Sequence, residues 1–486
     1  MNTRDYIEKV LHLLNDRKFY QKLDFDPTLS NANEITSFVD YLLLRGRITE
    51  TTAKYMYPVY PPRTPAFYGL PKIHKVDIPL RPIVSGNDSP TKNISSYMDF
   101  VLQPLVRALP SYIRDTKDFL NQLFTLPQLP ENCYLVTADV VSLYTNIPHN
   151  EGIEAVIQKI SSNRESLPQD TPPNATIRIL LQFILTFNVF EFLGTFYQQI
   201  CGTAMGTKCA PSYACIFMGY IEEQIQELSN NILFWRRFID DIFFIFTGTE
   251  VELLSLFEQM NQLHDTIKFT FSYSKTKVNF LDTVVQLDDS GTLSTNLFTK
   301  PTDTFSLLHF SSFHPLSTKK SIVYSQALRY RLIITKDSEF RKALSHLERI
   351  LRFRKYPQRI IHEQFEKVLS LTQEEVLSKS RKEDESTKKL VFSIPFSSSH
   401  QEISNILKEE WKNVENDPDL SQIWKEPPND TPILRKTLST LGNVISKNPR
   451  PYLSPIQPPS THRQLTSIKP QHPHTSIKPL TPSSSF

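Results

Sequence analysis

The sequence predicts an α+β fold in which an antiparallel sheet is covered on one face by helices, followed by a disordered C-terminal tail. Two observations predict the sheet and its helices. Helical, strand and hairpin patterns alternate as far as Leu287, rather than falling into a strict βαβ repeat. A run of large apolar residues from Phe238 to Phe246 reads as a buried hairpin, broken only by Asp240-Asp241. A third predicts the tail: from Asn448 onward the composition collapses to Pro, Ser, Thr, His and Gln, and Thr-Ser-Ile-Lys-Pro occurs twice, at 466–470 and 475–479. Such a stretch has almost nothing to bury.

Residues 1–60 read as helices, with an apolar stripe at Tyr6, Val10, Leu11 and Leu14 and a second helix from Asn33 to Leu44. From Pro61 to Pro90 the text is Pro-rich and extended. Helices are expected over Ile94–Leu109, Asn150–Ile160, Thr176–Phe187 and Ala210–Leu228, and a short strand over Cys133–Ala138 ending at Asp139. Phe190–Tyr197 looks like a hairpin turning at Gly194. Beyond Phe298 the pattern turns helical and basic. Between Lys319 and Arg359, 12 Lys or Arg face three acidic residues, an excess of +9, and Phe340, Leu344, Leu347 and Leu351 fall at helical spacing. Residues 372–389 read as a charged linker. Leu390–Phe396 is strand-like, and Ser399-x-x-Glu402 is a capping box opening a helix through Trp411. The expected division is therefore 1–60, 61–298, 299–371, 372–389, a small α/β extension over 390–447, and the tail 448–486.

Bulk composition narrows the function only slightly. The 486 residues are enough for two or three domains, and 39% hydrophobic content argues for a globular chain over most of its length. A net charge of +3 is too small to advertise a nucleic-acid binder. The four cysteines form no CxxC pair and have no His partner at zinc-finger spacing, so reduced, mostly buried thiols of an intracellular protein are expected. The charged N-terminus is no signal peptide, and the most apolar long stretch, 177–196, contains Arg178, Gln182, Asn188 and Glu191, a poor membrane span.

The chemistry is carried by carboxylates. Burying two adjacent acids is costly, and a divalent cation with a preference for hard oxygen ligands removes that cost. On the Asp240-Asp241 segment alone a solvated turn remains equally open. Asp139, about a hundred residues earlier at a strand end, supplies a third carboxylate if its strand neighbours the hairpin. Three acids at one sheet edge are what a two-metal phosphoryl-transfer site requires. Tyr144 would then stand beside the nucleotide sugar, where its ring could exclude a 2′-hydroxyl, although an ordinary core role is open. Lys72 and Arg81, on the Pro-stiffened stretch, could hold a triphosphate or be solvated surface charges. Gly202 and Gly206 lie four apart in a chain with only 11 glycines, which suggests close approach of another group to the backbone.

These segments resemble the motifs of reverse transcriptases. Asp139-Val140-Val141-Ser142-Leu143-Tyr144 is similar to motif A, Gly202–Thr207 with Ala210-Pro211 to motif B, and Phe238-Ile239-Asp240-Asp241 to motif C. Arg81 in Leu80–Val84 and Lys72 in Leu70-Pro71-Lys72 resemble the fingers motifs, and Phe280-Leu281-Asp282 stands where the primer grip would fall. The wording of Tyr68–Lys75, Gly202–Ala214, Lys300–Thr304 and Ser311–Pro315 resembles the Penelope-like retroelements, whose polymerase is related to telomerase. The similarity runs from about residue 60 to about residue 440.

The resemblance implies a right-hand polymerase with fingers, an antiparallel-sheet palm and a helical basic thumb. It implies RNA-directed DNA polymerase activity with two Mg²⁺ ions (or Mn²⁺) held by Asp139, Asp240 and Asp241. Lys72, Arg81, Tyr144 and Gly206 would contact the dNTP. Phe238, Phe280, Leu281, Lys319, Lys320, Arg329 and Arg331 would contact an RNA template and DNA primer. A nuclear location follows from that function, with no membrane association. Cys201 occupies a position where many members carry Gln, and the GIY-YIG endonuclease that ends most Penelope-like proteins is expected to be missing. Two competing readings are an inactive element remnant that binds nucleic acid through the thumb and an RNA-templated RNA polymerase.

Overall fold

The computed structural model describes residues 1–73, 75–378, 391–395, 397, 400–416 and 429–433. The chain divides into two compact units, 1–387 and 388–486. The predicted tail at 448–486, Ser399 of the capping box and most of the 372–389 linker lie outside the described residues.

In the first unit the centre is a four-stranded antiparallel sheet in the order Ile232–Phe238, Asp241–Thr247, Cys133–Val140 and Phe269–Ser274. Its strands explain the long apolar run. Ile242, Phe244 and Phe246 face a layer built from the helices Lys92–Arg107, His149–Ser162, Asn174–Thr186, Ala210–Leu228 and Glu250–Gln262. Phe243 and Ile245 face the opposite way, into a second core. That core holds the helix Thr116–Leu123, the hairpin Lys277–Phe280/Thr283–Leu287, and the helices Leu316–Ile333, Asp337–Phe353 and Gln358–Leu369. The α+β class holds, but the sheet is covered on both faces, not one as the sequence suggested. A strand buried on both sides reads as a continuous hydrophobic run, which hides the period of two.

The Pro-rich, extended stretch forms two antiparallel strands, Ala66–Pro71 and Leu80–Ser85. They join a five-stranded sheet with Tyr20–Leu23, Thr195–Gln199 and Val189–Phe192. Tyr20–Leu23 lies inside the region read as all helix; it is a four-residue edge strand between two helices, too short to leave a pattern. The hairpin at Gly194 has Leu193 at φ +50° and Gly194 at +76°, the two-residue turn whose twist suits flanking strands.

Phe340, Leu344, Leu347 and Leu351 are all buried on one face of the helix Asp337–Phe353. In the second unit, Val391–Pro395 pairs in parallel with Asn429–Ile433, and the helix His400–Glu415 lies between them in sequence. No helix among the described residues is long and apolar enough to cross a membrane.

Candidate active site

The apolar cover on the second face of the sheet stops part-way along the strand Cys133–Val140. Cys133 and Leu135 are buried, Thr137 is half-buried, and Asp139 is exposed where the cover ends. Asp139 pairs directly across the ladder with Asp241. The turn before Asp241 consists of Ile239 and Asp240, since Phe238 pairs with Asp241. Ile239 adopts φ +57°, a conformation that a β-branched residue reaches only under constraint. The Asp240 carbonyl accepts a bond from the Val140 N–H at 3.1 Å, tying the turn to the strand of Asp139. Asp139 and Asp241 open into a groove of about 200 Å³ shared with Thr137, Ser272, Asn279 and Leu281.

Among the described residues no hydrogen bond or ion pair engages the Asp139, Asp240 or Asp241 carboxylates. Partial burial, then the charges of Asp240 and Asp139, push the Asp241 carboxyl up to about 6. Asp139 is also raised, by burial and by Asp240, against the opposing pull of Lys75, Lys72 and Arg81. An all-oxygen set of mutually repelling, unpartnered acids fits a hard divalent cation. Among the described residues no three acidic, His or Cys groups stand close enough together to hold a metal ion by themselves. An open carboxylate edge suits Mg²⁺, which keeps several waters and takes substrate oxygens as ligands.

Lys72 follows the strand Ala66–Pro71, and its N–H donates to the Pro79 carbonyl at 2.9 Å. Burial, then Lys75 and Arg81, pull its ammonium below the usual lysine range, while Asp139 and Asp240 oppose the shift. Arg81 projects from the paired strand, opposite Leu70. The two strands and the turn between them therefore bring three cations toward the carboxylates. Lys75 is the one the sequence analysis did not single out; its only signal was its place in the same arm.

The loop between Gly202 and Gly206 is clamped from two sides. Val84 N–H donates to the Met205 carbonyl at 2.9 Å, and a Cβ on Gly206 would overlap the Val84 carbonyl oxygen. On the other side, Thr203 N–H donates to the Tyr144 carbonyl at 2.7 Å, and a Cβ on Gly202 would stand 2.6 Å from the Thr145 carbonyl carbon. His149 Nε2 also contacts the Gly202 carbonyl at 2.7 Å, a link the sequence analysis missed. The backbone approach expected of this glycine pair is thus, in the free chain, approach by the protein's own backbone. Tyr144, on the short helix Leu143–Asn146, is partly buried against the first core, and burial pushes its phenol up. The core role left open for Tyr144 and its place near Asp240 hold together.

Several expected template–primer residues are otherwise engaged. Phe280 is 3% exposed, with its ring centroid 4.7 Å from that of Phe119, so it supports the hairpin from inside while also lining the groove. Leu281 turns that hairpin at φ +53° and lines the groove. Phe238 is half-buried against the second core. Arg331 is a correction: its side chain is 6% exposed, bonded to Asp337 at 2.5 Å and stacked over Phe340. Arg329 bonds Asp282 at 2.7 Å, Lys320 bonds Glu363 at 3.2 Å, and Lys319 lies over the Phe310 ring. Exposed cations of this segment that carry no ion pair among the described residues include Arg341, Arg349, Arg352, Lys355 and Arg359. Helical periodicity located the buried stripe but not which cations had internal partners.

Residues 306–366 match the animal helix-turn-helix domain family. No curated protein sequence matches the chain. Among solved structures, truncated apo telomerase from Candida tropicalis is 14% identical with TM-score 0.38, over 55% of this chain and 60% of that one. Telomerase from Candida albicans with a fragment of telomeric RNA is 9% identical with TM-score 0.47, over 76% and 59%. An RNA polymerase complex inside a dsRNA virus is 11% identical with TM-score 0.41, over 70% and 30%. The chain thus spans about 60% of the length of these telomerases. Likeness this weak fixes no activity; residues 73–311, which hold Asp139, Asp240 and Asp241, match the reverse transcriptase (RNA-dependent DNA polymerase) family.

Proposed function

We propose that the chain is the RNA-directed DNA polymerase of a Penelope-like retroelement, extending a DNA primer on an RNA template with dNTPs. One observation carries this reading: within the segment that matches the reverse transcriptase family, three unpartnered carboxylates share a sheet edge and face Arg81 on the strand Leu80–Ser85 and Lys72 and Lys75 in the connection before it. In the reaction the primer 3′-oxygen bonds to the α-phosphorus of the dNTP, and the bond to the leaving pyrophosphate breaks.

The three cations bind the triphosphate and neutralise the charge that collects on pyrophosphate. Tyr144 orients the sugar and disfavours a 2′-hydroxyl. The turn and the ladder hold Asp139, Asp240 and Asp241 as ligands for two Mg²⁺ ions, with Mn²⁺ as a substitute. Bound there, the ions supply the lowered pKa of the primer hydroxyl and the stabilised leaving oxygen. The exposed cations of the thumb helices track the template–primer backbone without reading its sequence. The retroelement assignment is supported by the wording of the motifs and by the helix-turn-helix match over 306–366, and nuclear residence follows from the same reading.

Purified protein with poly(rA)/oligo(dT), dTTP and Mg²⁺ tests the proposal. Asp240→Asn should lower extension by roughly a thousandfold, about 4 kcal/mol of transition-state stabilisation, with template–primer affinity kept. Wild-type protein that binds template–primer but incorporates nothing would identify an inactive remnant. Incorporation of NTPs in preference to dNTPs would identify an RNA polymerase.

A further inference from the structure

Behind the Asp240-Asp241 turn lies a buried ion pair. Arg237 is 2% exposed in a strand whose other residues are mostly apolar, and its side chain points away from the groove toward the helix Ala210–Leu228. Glu222, on that helix, is 5% exposed. Arg237 Nε donates to Glu222 Oε1 at 2.7 Å and Nη2 to Oε2 at 3.0 Å, a two-pronged contact that fixes the guanidinium plane. Glu222 is itself held by Trp235 Nε1 at 2.7 Å and by the Ser111 hydroxyl at 2.6 Å. Arg237 also donates to two backbone carbonyls: Nη2 reaches Cys215 at 3.1 Å, and Nη1 reaches Ile239 at 3.1 Å.

That last bond is the informative one. Ile239 is the first residue of the turn and holds the left-handed conformation that its branched Cβ disfavours. A buried ion pair is often no more stabilising than apolar residues of similar volume, so stability alone does not account for placing charges here. An apolar pair could not donate to the Ile239 carbonyl. With the Val140 N–H bonded to the Asp240 carbonyl from the other side, the turn is gripped at both of its residues.

We propose that Arg237 and Glu222 are positioning residues. Glu222 locks the guanidinium, the guanidinium holds Ile239 in its disfavoured conformation, and the turn thereby presents Asp240 in register with Asp139 and Asp241. The inference rests on the reading of Asp240 as a cation ligand. It assigns that geometry to a network with no access to nucleic acid.

Arg237→Lys keeps one positive charge beside Glu222, but a single ammonium cannot span both the carboxylate and the Ile239 carbonyl. Mn²⁺ binding is read from the loss of the free-ion electron paramagnetic resonance signal, and folding from the urea midpoint. Loss of one charge-assisted bond should weaken Mn²⁺ binding by about tenfold, with the urea midpoint close to wild type. The Mg²⁺ concentration for half-maximal primer extension should rise in step, while KM for dTTP stays unchanged.

Adding Ile239→Gly should recover most of the lost affinity, because glycine enters the left-handed region without a grip. If Arg237→Lys does not fold, Glu222→Gln, which keeps one acceptor for the guanidinium, should show the same weakened Mn²⁺ binding. Wild-type Mn²⁺ affinity in a folded Arg237→Lys or Glu222→Gln protein overturns the inference, as does no recovery from Ile239→Gly. If Asp240→Asn leaves Mn²⁺ binding unaltered, the ligand assignment falls first and the inference with it.

Discussion

Replacing Gly206 by alanine should unlatch the Gly202–Gly206 loop from the strand Leu80–Ser85. Gly206 has φ +134°, outside the range L side chains adopt freely, and a Cβ there would overlap the Val84 carbonyl oxygen and stand 3.0 Å from its carbon. The obstacle is backbone in a paired strand, so no side-chain rotation relieves it. The loop must lift, breaking the bond from Val84 N–H to the Met205 carbonyl. A backbone donor stripped of its partner costs about 1–3 kcal/mol. Backbone strain retained at residue 206 costs on the order of 1–3 kcal/mol. Together these give roughly 2–6 kcal/mol, read as the wild-type minus variant difference in urea unfolding. The same lift shifts the segment beside Arg81, so KM for dTTP should rise more than kcat falls. A Gly206→Ala protein with wild-type unfolding energy and wild-type KM would refute the clamp.

Other consequences can be measured on the same protein. Tyr144→Val should lower the preference for dNTP over NTP by about tenfold to a hundredfold, read as the ratio of kcat/KM values for dTTP and UTP. Phe243→Ala should cost about 3–5 kcal/mol in urea unfolding, since the ring is fully buried with centroids 5.2 Å from Phe119 and 5.6 Å from Phe280. In metal-free protein the Asp241 carboxyl should titrate near pH 6 by carbon-13 NMR, and Mg²⁺ should lower that value. Its raised pKa means the folded chain binds this proton more tightly than the unfolded one. The contribution is thus present below about pH 4 and is lost as pH rises through 6. Metal-free stability that rises with pH across that window would contradict the environment assigned to Asp241.

Local patterns in the sequence carried much of the architecture. The helix Ala210–Leu228 has the bounds its apolar spacing predicts, and Phe340, Leu344, Leu347 and Leu351 form the buried stripe their spacing requires. Those patterns arise from one segment burying one face, so they can be read without knowing the partner. The strand Tyr20–Leu23 could not be read this way, because four residues are held in register by Thr195–Gln199, far along the chain. The one-sided sheet failed for a related reason: Ile242–Phe246 shows that the strand is buried, but not how many layers bury it.

The same division runs through the site. By itself the sequence determined that an acidic pair interrupts an apolar hairpin and that another acid ends a strand. It also placed cations on the Pro-rich arm and glycines at 202 and 206. Only the tertiary structure decided that Asp139 faces Asp241 across one ladder and that Lys75 joins Lys72 and Arg81. It also decided that Phe280 and Arg331 are internal, and that Arg237 spends its charge on Glu222 and the Ile239 carbonyl. The physical reason is that residue type and local spacing fix what a side chain can do. Which charge is buried, paired or free depends on strands and helices that meet from distant parts of the chain.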